Sequence, residues 1–218
     1  MVKKPHRILI TAGPTLEAID PVRFISNRST GYMGYELARI AEKIGYRVTL
    51  ISGPTNLLPP KAVKFLQIVT AQKLYKSVHR ELKKADILVM ASAVADFKPL
   101  RFSRNKIKSK KGIALKLAKN PDILKSLTLK ERENKIIVGF SLETKAVLAN
   151  SMRKLRAKKL DLIIANMCGR GNMPFGKGAK TVYLIDKFGR RKKLLKAPKA
   201  RVARAILDTI KELCYTSN

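Results

Sequence analysis

Asp96 stands a few residues beyond the apolar run Asp86 to Ala91. Lys106, Lys108, Lys110 and Lys111 follow it, ahead of Lys119-Asn120-Pro121-Asp122-Ile123-Leu124. An acid past a strand end, a lysine-rich loop and a helix start together could close over a triphosphate, because fixed cations stabilise charge that develops in phosphoryl or nucleotidyl transfer. Each residue also has a plainer use: a lone Asp there is commonly a turn or cap residue, and any one lysine among 47 Lys and Arg is readily a solvated surface charge. Upstream, Thr11-Ala12-Gly13-Pro14-Thr15 follows the first apolar run directly, at the carboxyl end of a strand, where open α/β sheets bind ligands. The pentapeptide reads as a phosphate loop around Gly13 or as an ordinary strand-to-helix turn, and the plainer reading is the commoner one.

The stretch Arg23-Phe24-Ile25-Ser26-Asn27-Arg28-Ser29-Thr30-Gly31-Tyr32-Met33-Gly34 says more, because it ends at the start of an amphipathic helix. Ser29 or Thr30 is placed to cap that helix, and Gly31 and Gly34 permit close backbone approach. Exposed N–H groups at a helix start form an anion site without any side-chain charge. Nicotinamide chemistry is disfavoured, because Ser52-Gly53-Pro54 ends the second predicted strand where an acidic residue should hold the ribose. Tyr183 and Lys187 have the Tyr-x-x-x-Lys spacing of short-chain dehydrogenases but fall in a predicted hairpin rather than on a helix. Cys168 and Cys214 lack partners at metal-ligand spacing, and His6 and His79 lie far apart without a motif, so no disulfide framework, zinc site or histidine triad is expected.

The elements that must position these residues are legible from periodicity. Arg7 to Thr11, Val48 to Ser52, Asp86 to Ala91, Lys135 to Phe140 and Asp161 to Ala165 are continuous apolar runs of the kind buried on both faces of a parallel sheet. Met33, Leu37, Ile40, Ala41 and Ile44 recur at helical spacing, with Gly45 as a C-terminal stop. Leu74 to Leu82, Pro121 to Leu129 and Ala146 to Leu160 supply further helices between strands. The spacing predicts an α/β fold: a Rossmann-like, mostly parallel sheet with helices on both faces. Thr181 to Ile185 and Lys192 to Leu195 predict a C-terminal β-hairpin, and Pro198 opens a last helix with Val202, Ile206, Ile210 and Leu213 on one face. At roughly 150 residues per domain, residues 1–218 make one domain. Lys98 to Gly112 reads as a mobile surface segment, and Cys168 to Gly178, with four glycines, as a long loop.

The motifs taken together resemble phosphopantothenoylcysteine synthetase, of the bacterial CTP-dependent and stand-alone type. Those carrying the resemblance are Thr11-Ala12-Gly13-Pro14-Thr15-x-Glu17, Arg23-Phe24-Ile25-Ser26-Asn27-x-Ser29-x-Gly31-x-Met33-Gly34, Ala95-Asp96-Phe97, Lys106-Ile107-Lys108, Lys119-Asn120-Pro121-Asp122-Ile123 and Gly139-Phe140-Ser141-x-Glu143-Thr144. They occur in the family's order between about residues 7 and 166. Two departures stand out. Asn166-Met167-Cys168 replaces the family's usual Asn-Asp-Val, and Ser92 stands where the bacterial family often has alanine.

The resemblance implies ligation of 4′-phosphopantothenate to L-cysteine on the route to coenzyme A, with CTP activating the carboxylate as an acyl-cytidylate. It also implies Mg²⁺ and a homodimer. Carried over by position, Lys106 is the flap lysine and Asn27 the catalytic asparagine. Ser92, Asp96, Lys106, Pro121, Asp122, Ile123, Leu124, Phe140, Lys154 and Lys158 line the nucleotide site, and Arg23, Asn27 and Ala93 contact the acyl substrate. Gly13, Gly31 and Gly34 would form the phosphate loop, and the residues holding the metal are unassigned. The i, i+4 spacing of Lys154 and Lys158 puts both ammonium groups on one helix face. In many bacteria the unit is fused behind a flavin-dependent decarboxylase; 218 residues leave no room for one, so decarboxylation is expected of a separate chain.

A formal charge of +32 exceeds what one triphosphate and one phosphate require. A second reading is therefore an RNA-binding Rossmann-like protein that tracks phosphates with Arg190 to Lys193 and the Lys98 to Lys111 segment. Aromatics at 6% do not interleave with those clusters, as stacking on single strands would require, so any nucleic-acid binding is expected to be non-specific. No apolar run approaches the ~18 residues of a membrane span, and MVKKPHRILI is too short in apolar residues for a signal peptide. A cytoplasmic protein is expected.

Overall fold

The computed structural model describes residues 6–108, 112–167 and 178–216. Its centre is an eight-stranded sheet. The strands in sheet order are β12 (Arg191–Ala197), β11 (Lys180–Asp186), β10 (Leu162–Met167), β9 (Ile136–Glu143), β6 (Ile87–Met90), β1 (Arg7–Ala12), β4 (Arg47–Ser52) and β5 (Lys64–Gln67). From β10 to β5 every pairing is parallel, and only β11 and β12 run antiparallel to their neighbours. Numbered along the chain, the parallel strands lie in the order 3-2-1-4-5-6 of a doubly wound sheet. The winding direction reverses between β1 and β6, and the segments leaving these two strands stay paired through a bridge between Pro14 and Ala93.

Alternation along each strand sends side chains to two apolar layers. Ile8, Ile10 and Ala12 of β1 pack with α1 (Tyr32–Lys43) and α6 (Lys199–Thr216) on one face. Leu9, with Leu88 and Ile163, packs against Leu74, Val78 and Leu82 of α2 (Ala71–Leu82) and Leu155 of α5 (Val147–Ala157) on the other. The helix α1 lies close against β1 because residue 34 is glycine: a Cβ there would come within 2.6 Å of Ala12 Cβ. Among the described residues, no helix is long and apolar enough to cross a membrane.

The predicted sheet, hairpin and terminal helix are all present, with four differences. The N-cap of α1 is Gly31, at φ 75°, rather than Ser29 or Thr30, whose hydroxyls accept from Gly31 N–H at 3.3 Å and Tyr32 N–H at 3.5 Å. The helix expected over Pro121 to Leu129 is two short ones, α3 (Ile123–Ser126) and α4 (Leu129–Arg132). Leu127 is extended, and Thr128 opens α4 with a reciprocal capping box to Glu131. The segment read as a mobile loop begins in a ribbon, β7 (Phe97–Pro99) paired with β8 (Leu117–Lys119), while Lys110 and Lys111 lie outside the described residues. The ribbon of β2 (Leu16–Ala18) and β3 (Phe24–Ser26) and the edge strand β5 were not expected; each is too short or too polar to give an apolar run. The glycine-rich loop, except Gly178, also lies outside the described residues.

Candidate functional site

The loops that leave β1 and β6 are joined by backbone. Ala93 N–H donates to the Gly13 carbonyl at 2.9 Å, and Thr15 N–H to the Ala93 carbonyl at 3.3 Å. Thr15 Oγ1 accepts from Ala95 N–H at 3.0 Å, and the Thr11 and Ser92 hydroxyls share a 2.8 Å hydrogen bond. The two loops leaving the strand ends are thus fixed to each other before any ligand arrives. Gly13 and Gly31 both adopt positive φ, and a Cβ on Gly31 would approach Gly13 N at 3.2 Å, so the first two glycines of the expected phosphate loop lie against each other.

Asn27 sits against the loop that follows β6. Its Nδ2 donates to the Ala93 and Val94 carbonyls at 3.2 and 3.0 Å, so both amide hydrogens are engaged and Oδ1 is the atom left to face a substrate. A cavity of about 210 Å³ opens beside it, on the α1 and α6 side. Gly31, Ser92, Ala93 and Phe140 line it, with Lys180 and Lys199 entering from β11 and the start of α6. Burial, together with the neighbouring Lys180 charge, lowers the Lys199 pKa below that of an ordinary lysine. Two ammonium groups and the start of α1 on one small cavity suit an anion.

On the other face of the sheet, Asp122 caps α3, accepting from Lys125 N–H at 3.2 Å. Lys158, the residue that ends α5, reaches it. Lys154 pairs instead with Glu143 at 2.6 Å, so the two lysines expected on one face serve different carboxylates. Burial would raise the Glu143 pKa, but the Lys154 ammonium and the Ser141 hydroxyl outweigh it and hold the carboxyl below its usual range. Ile123 and Leu124 are only 3% and 8% exposed, and the Leu124 carbonyl already accepts from Arg132. What these two residues can show a ligand is backbone.

Several contributors were not foreseen. Asn120 Nδ2 donates to the Ala95 carbonyl at 2.9 Å, while its own Oδ1 is buried and, like Asn166 Oδ1, has no hydrogen-bond partner among the described residues. Such an acceptor invites a donor from a ligand. Glu17 is buried and accepts from Ala71 N–H at 2.8 Å, tying the first loop to the start of α2. Asp20 is 2% exposed and binds Arg23, a residue expected to touch substrate. The signal for Asp20 was its place in Asp20-Pro21-Val22-Arg23, a turn whose carboxylate folds back on its own backbone. Lys106 and Asp96 are exposed. A wider, mostly apolar groove of about 500 Å³ between the start of α5 and β11 and β12 is lined by none of the expected site residues.

The family model of the DNA/pantothenate metabolism flavoprotein C-terminal domain matches residues 3–214. A coenzyme A biosynthesis bifunctional protein, CoaBC, of Borreliella burgdorferi is 42% identical over 95% of the chain and 53% of its own length. Its counterpart in Bacillus subtilis is 41% identical over 94% of the chain and 51% of its own. The crystal structure of the C-terminal domain of a CoaBC protein superposes with a TM-score of 0.83 at 34% identity, covering 97% of this chain and 96% of that one. The chain spans about half the length of the curated relatives it matches.

Proposed function

This chain belongs to the DNA/pantothenate metabolism flavoprotein C-terminal domain family, and from that premise we propose that it joins 4′-phosphopantothenate to L-cysteine with CTP, as a phosphopantothenate–cysteine ligase of coenzyme A biosynthesis. One observation carries the reading: the start of α1, Ser92, Ala93 and Phe140, far apart in sequence, line one anion-suited cavity, and Asn27 bonds to the Ala93 carbonyl of that lining. The names of the relatives from Borreliella burgdorferi and Bacillus subtilis support the pathway.

In the first step a substrate carboxylate oxygen bonds to the α-phosphorus of CTP, and the anhydride bond to pyrophosphate breaks. Lys106 supplies positive charge where the phosphates gain negative charge. In the second step the cysteine amine attacks the acyl carbon, CMP leaves, and Asn27 sits beside the reacting carbonyl. For Asn27 to donate to the acyl oxygen, one of its bonds to Ala93 or Val94 must be exchanged for the substrate. If it keeps both, its Oδ1 accepts from the attacking amine. Asn120 Oδ1 offers an acceptor to the exocyclic amine of cytosine, a polar match that separates cytosine from uracil, while a purine is rejected by size.

Among the described residues, no three His, Cys, Asp or Glu side chains gather as a metal cage. Single carboxylates fit Mg²⁺ brought in by the triphosphate, an ion commonly held by one or two carboxylates plus substrate phosphates. Asp96 is the carboxylate that would hold it, and the ion would neutralise charge on the phosphates. The homodimer belongs to the same proposal. The test is incubation with phosphopantothenate, cysteine, Mg²⁺ and either CTP or ATP. Pyrophosphate should appear only with phosphopantothenate, and CTP should exceed ATP at least about tenfold in specificity, the scale of ~1.4 kcal/mol. Equal use of ATP would overturn the nucleotide assignment, and no release with either would overturn the ligase.

A further inference from the structure

Two hydrogen bonds join the turn before β3 to Ile107, the residue next to Lys106. Asp20 Oδ2 accepts from Ile107 N–H at 3.1 Å, and Arg23 Nη1 donates to the Ile107 carbonyl at 2.9 Å. Arg23 Nη1 also donates to Asp20 Oδ2 at 2.7 Å, so the acid and base that grip the two polar ends of residue 107 grip each other. A third bond between the two segments runs from Ser103 N–H to the Ile19 carbonyl at 3.0 Å. Asp20 is itself fixed: its Oδ1 accepts from the Val22 and Arg23 N–H groups at 2.8 Å each. Its carboxyl is held as the anion, which makes each of these bonds charge-assisted.

We propose that Asp20 and Arg23 form a latch that fixes the backbone next to Lys106, and that Asp20 is a positioning residue acting on catalysis through Lys106. Arg23 Nη1 spends both of its hydrogens on the latch, one on Asp20 and one on Ile107, and leaves Nε and Nη2 for any substrate contact. A flap lysine accelerates nucleotidyl transfer only if its ammonium is in place when the α-phosphorus is attacked, and a lysine is a flexible chain with high rotamer entropy. Fixing the peptide one residue away removes the backbone share of that freedom. The side chain is left exposed to swing onto the phosphates. Asp20 would therefore affect the rate of acyl-nucleotide formation more than the affinity for CTP. The catalytic part of the inference rests on the ligase reading; the mechanical part does not.

Two measurements on Asp20→Asn test it. Hydrogen exchange over residues 103–108 should speed up at least tenfold in the variant, with β1 and β6 exchanging as in the parent. In single-turnover assays with CTP, Asp20→Asn should slow acyl-nucleotide formation about tenfold or more with CTP affinity within about twofold. In the Lys106→Gln background the same change should have no further effect, because there is no ammonium left to position. Unchanged exchange over 103–108, an unchanged rate, or an equal slowing in the Lys106→Gln background would each overturn the proposal. A general loss of fold would show as faster exchange in β1 and β6; Arg23→Lys, which keeps the charge but not the planar fork, then supplies the same two readings. If the parent chain forms no acyl-nucleotide with any triphosphate, the ligase reading fails and with it the role through Lys106, while the exchange result still decides the latch.

Discussion

Lys158 Nζ lies 3.0 Å from Asp122 Oδ2, so the residue that ends α5 holds the residue that starts α3. The pair joins two residues carried over as nucleotide contacts and also makes each of them structural. The two roles separate by substitution. Asp122→Ala removes the α3 cap and should cost about 1 kcal/mol in urea unfolding. Lys158→Met breaks only a partly exposed ion pair and should cost less than about 1 kcal/mol. If Lys158 also meets CTP, its loss should weaken CTP binding about tenfold or more in calorimetry. Unchanged binding in Lys158→Met would leave the residue a purely structural partner of Asp122.

Lys106→Gln should slow acyl-nucleotide formation about 100-fold or more, the scale for loss of one preorganised charge at a developing anion. The melting temperature should stay within about a degree, because Lys106 is exposed and outside both apolar layers. Lys108→Gln, two residues along the same exposed segment, is the control. Equal losses in the two variants would mean that the segment acts through bulk charge.

How much of this was legible in the sequence depends on the reach of each signal. The five inner parallel strands and the helices α1, α2, α5 and α6 announce themselves because each buries an apolar run or stripe along its own length. The edge strand β5 and the ribbons bury little, so their residues carry no period. Asn27, Ser92, Ala93 and Phe140 were nameable through the family resemblance, but their convergence depends on strand order, which no local pattern encodes. Asp20 and Asn120 matter through partners more than twenty residues away, Ile107 and Ala95, and nothing in the spacing of either residue points there. Ile123 and Leu124 show the reverse case: the motif names them, while packing turns their side chains into the core.

Asp20 should also leave a mark on acid stability. Burial alone would raise its pKa, but backbone N–H groups of Val22, Ile107 and Arg23, with the Arg23 charge, bring it down to about 2. The unfolded value is about 3.9. A carboxyl whose folded pKa is depressed contributes stability that is complete above the unfolded value and is lost as pH falls through the folded one. The stability difference between the parent and Asp20→Asn should therefore be level above about pH 5 and should shrink between about pH 4 and 2. Denaturant midpoints measured across that range give the curve. A difference that stays constant down to pH 2 would mean that Asp20 is not held as the anion by these bonds.

Asn27→Asp separates the two half-reactions. In the parent, both amide hydrogens point at the Ala93 and Val94 carbonyls. An aspartate keeps an acceptor oxygen, loses both donors, and sets a negative charge against two carbonyls and a reacting acyl group about to gain charge. Attack of the substrate carboxylate on CTP draws on Lys106 and the cations at the phosphates, whereas attack of cysteine takes place beside residue 27. Loss of one oxyanion donor costs about 2.7 to 4 kcal/mol, or roughly 100- to 1,000-fold, and that loss should fall on the second step. The variant should still form phosphopantothenoyl-cytidylate and hold it, visible by mass spectrometry of a quenched single turnover. If the intermediate forms and reacts at the parent rate, residue 27 serves the loop at Ala93 and Val94 and not the chemistry. If no intermediate forms at all, its place is in binding the acyl substrate for the first step.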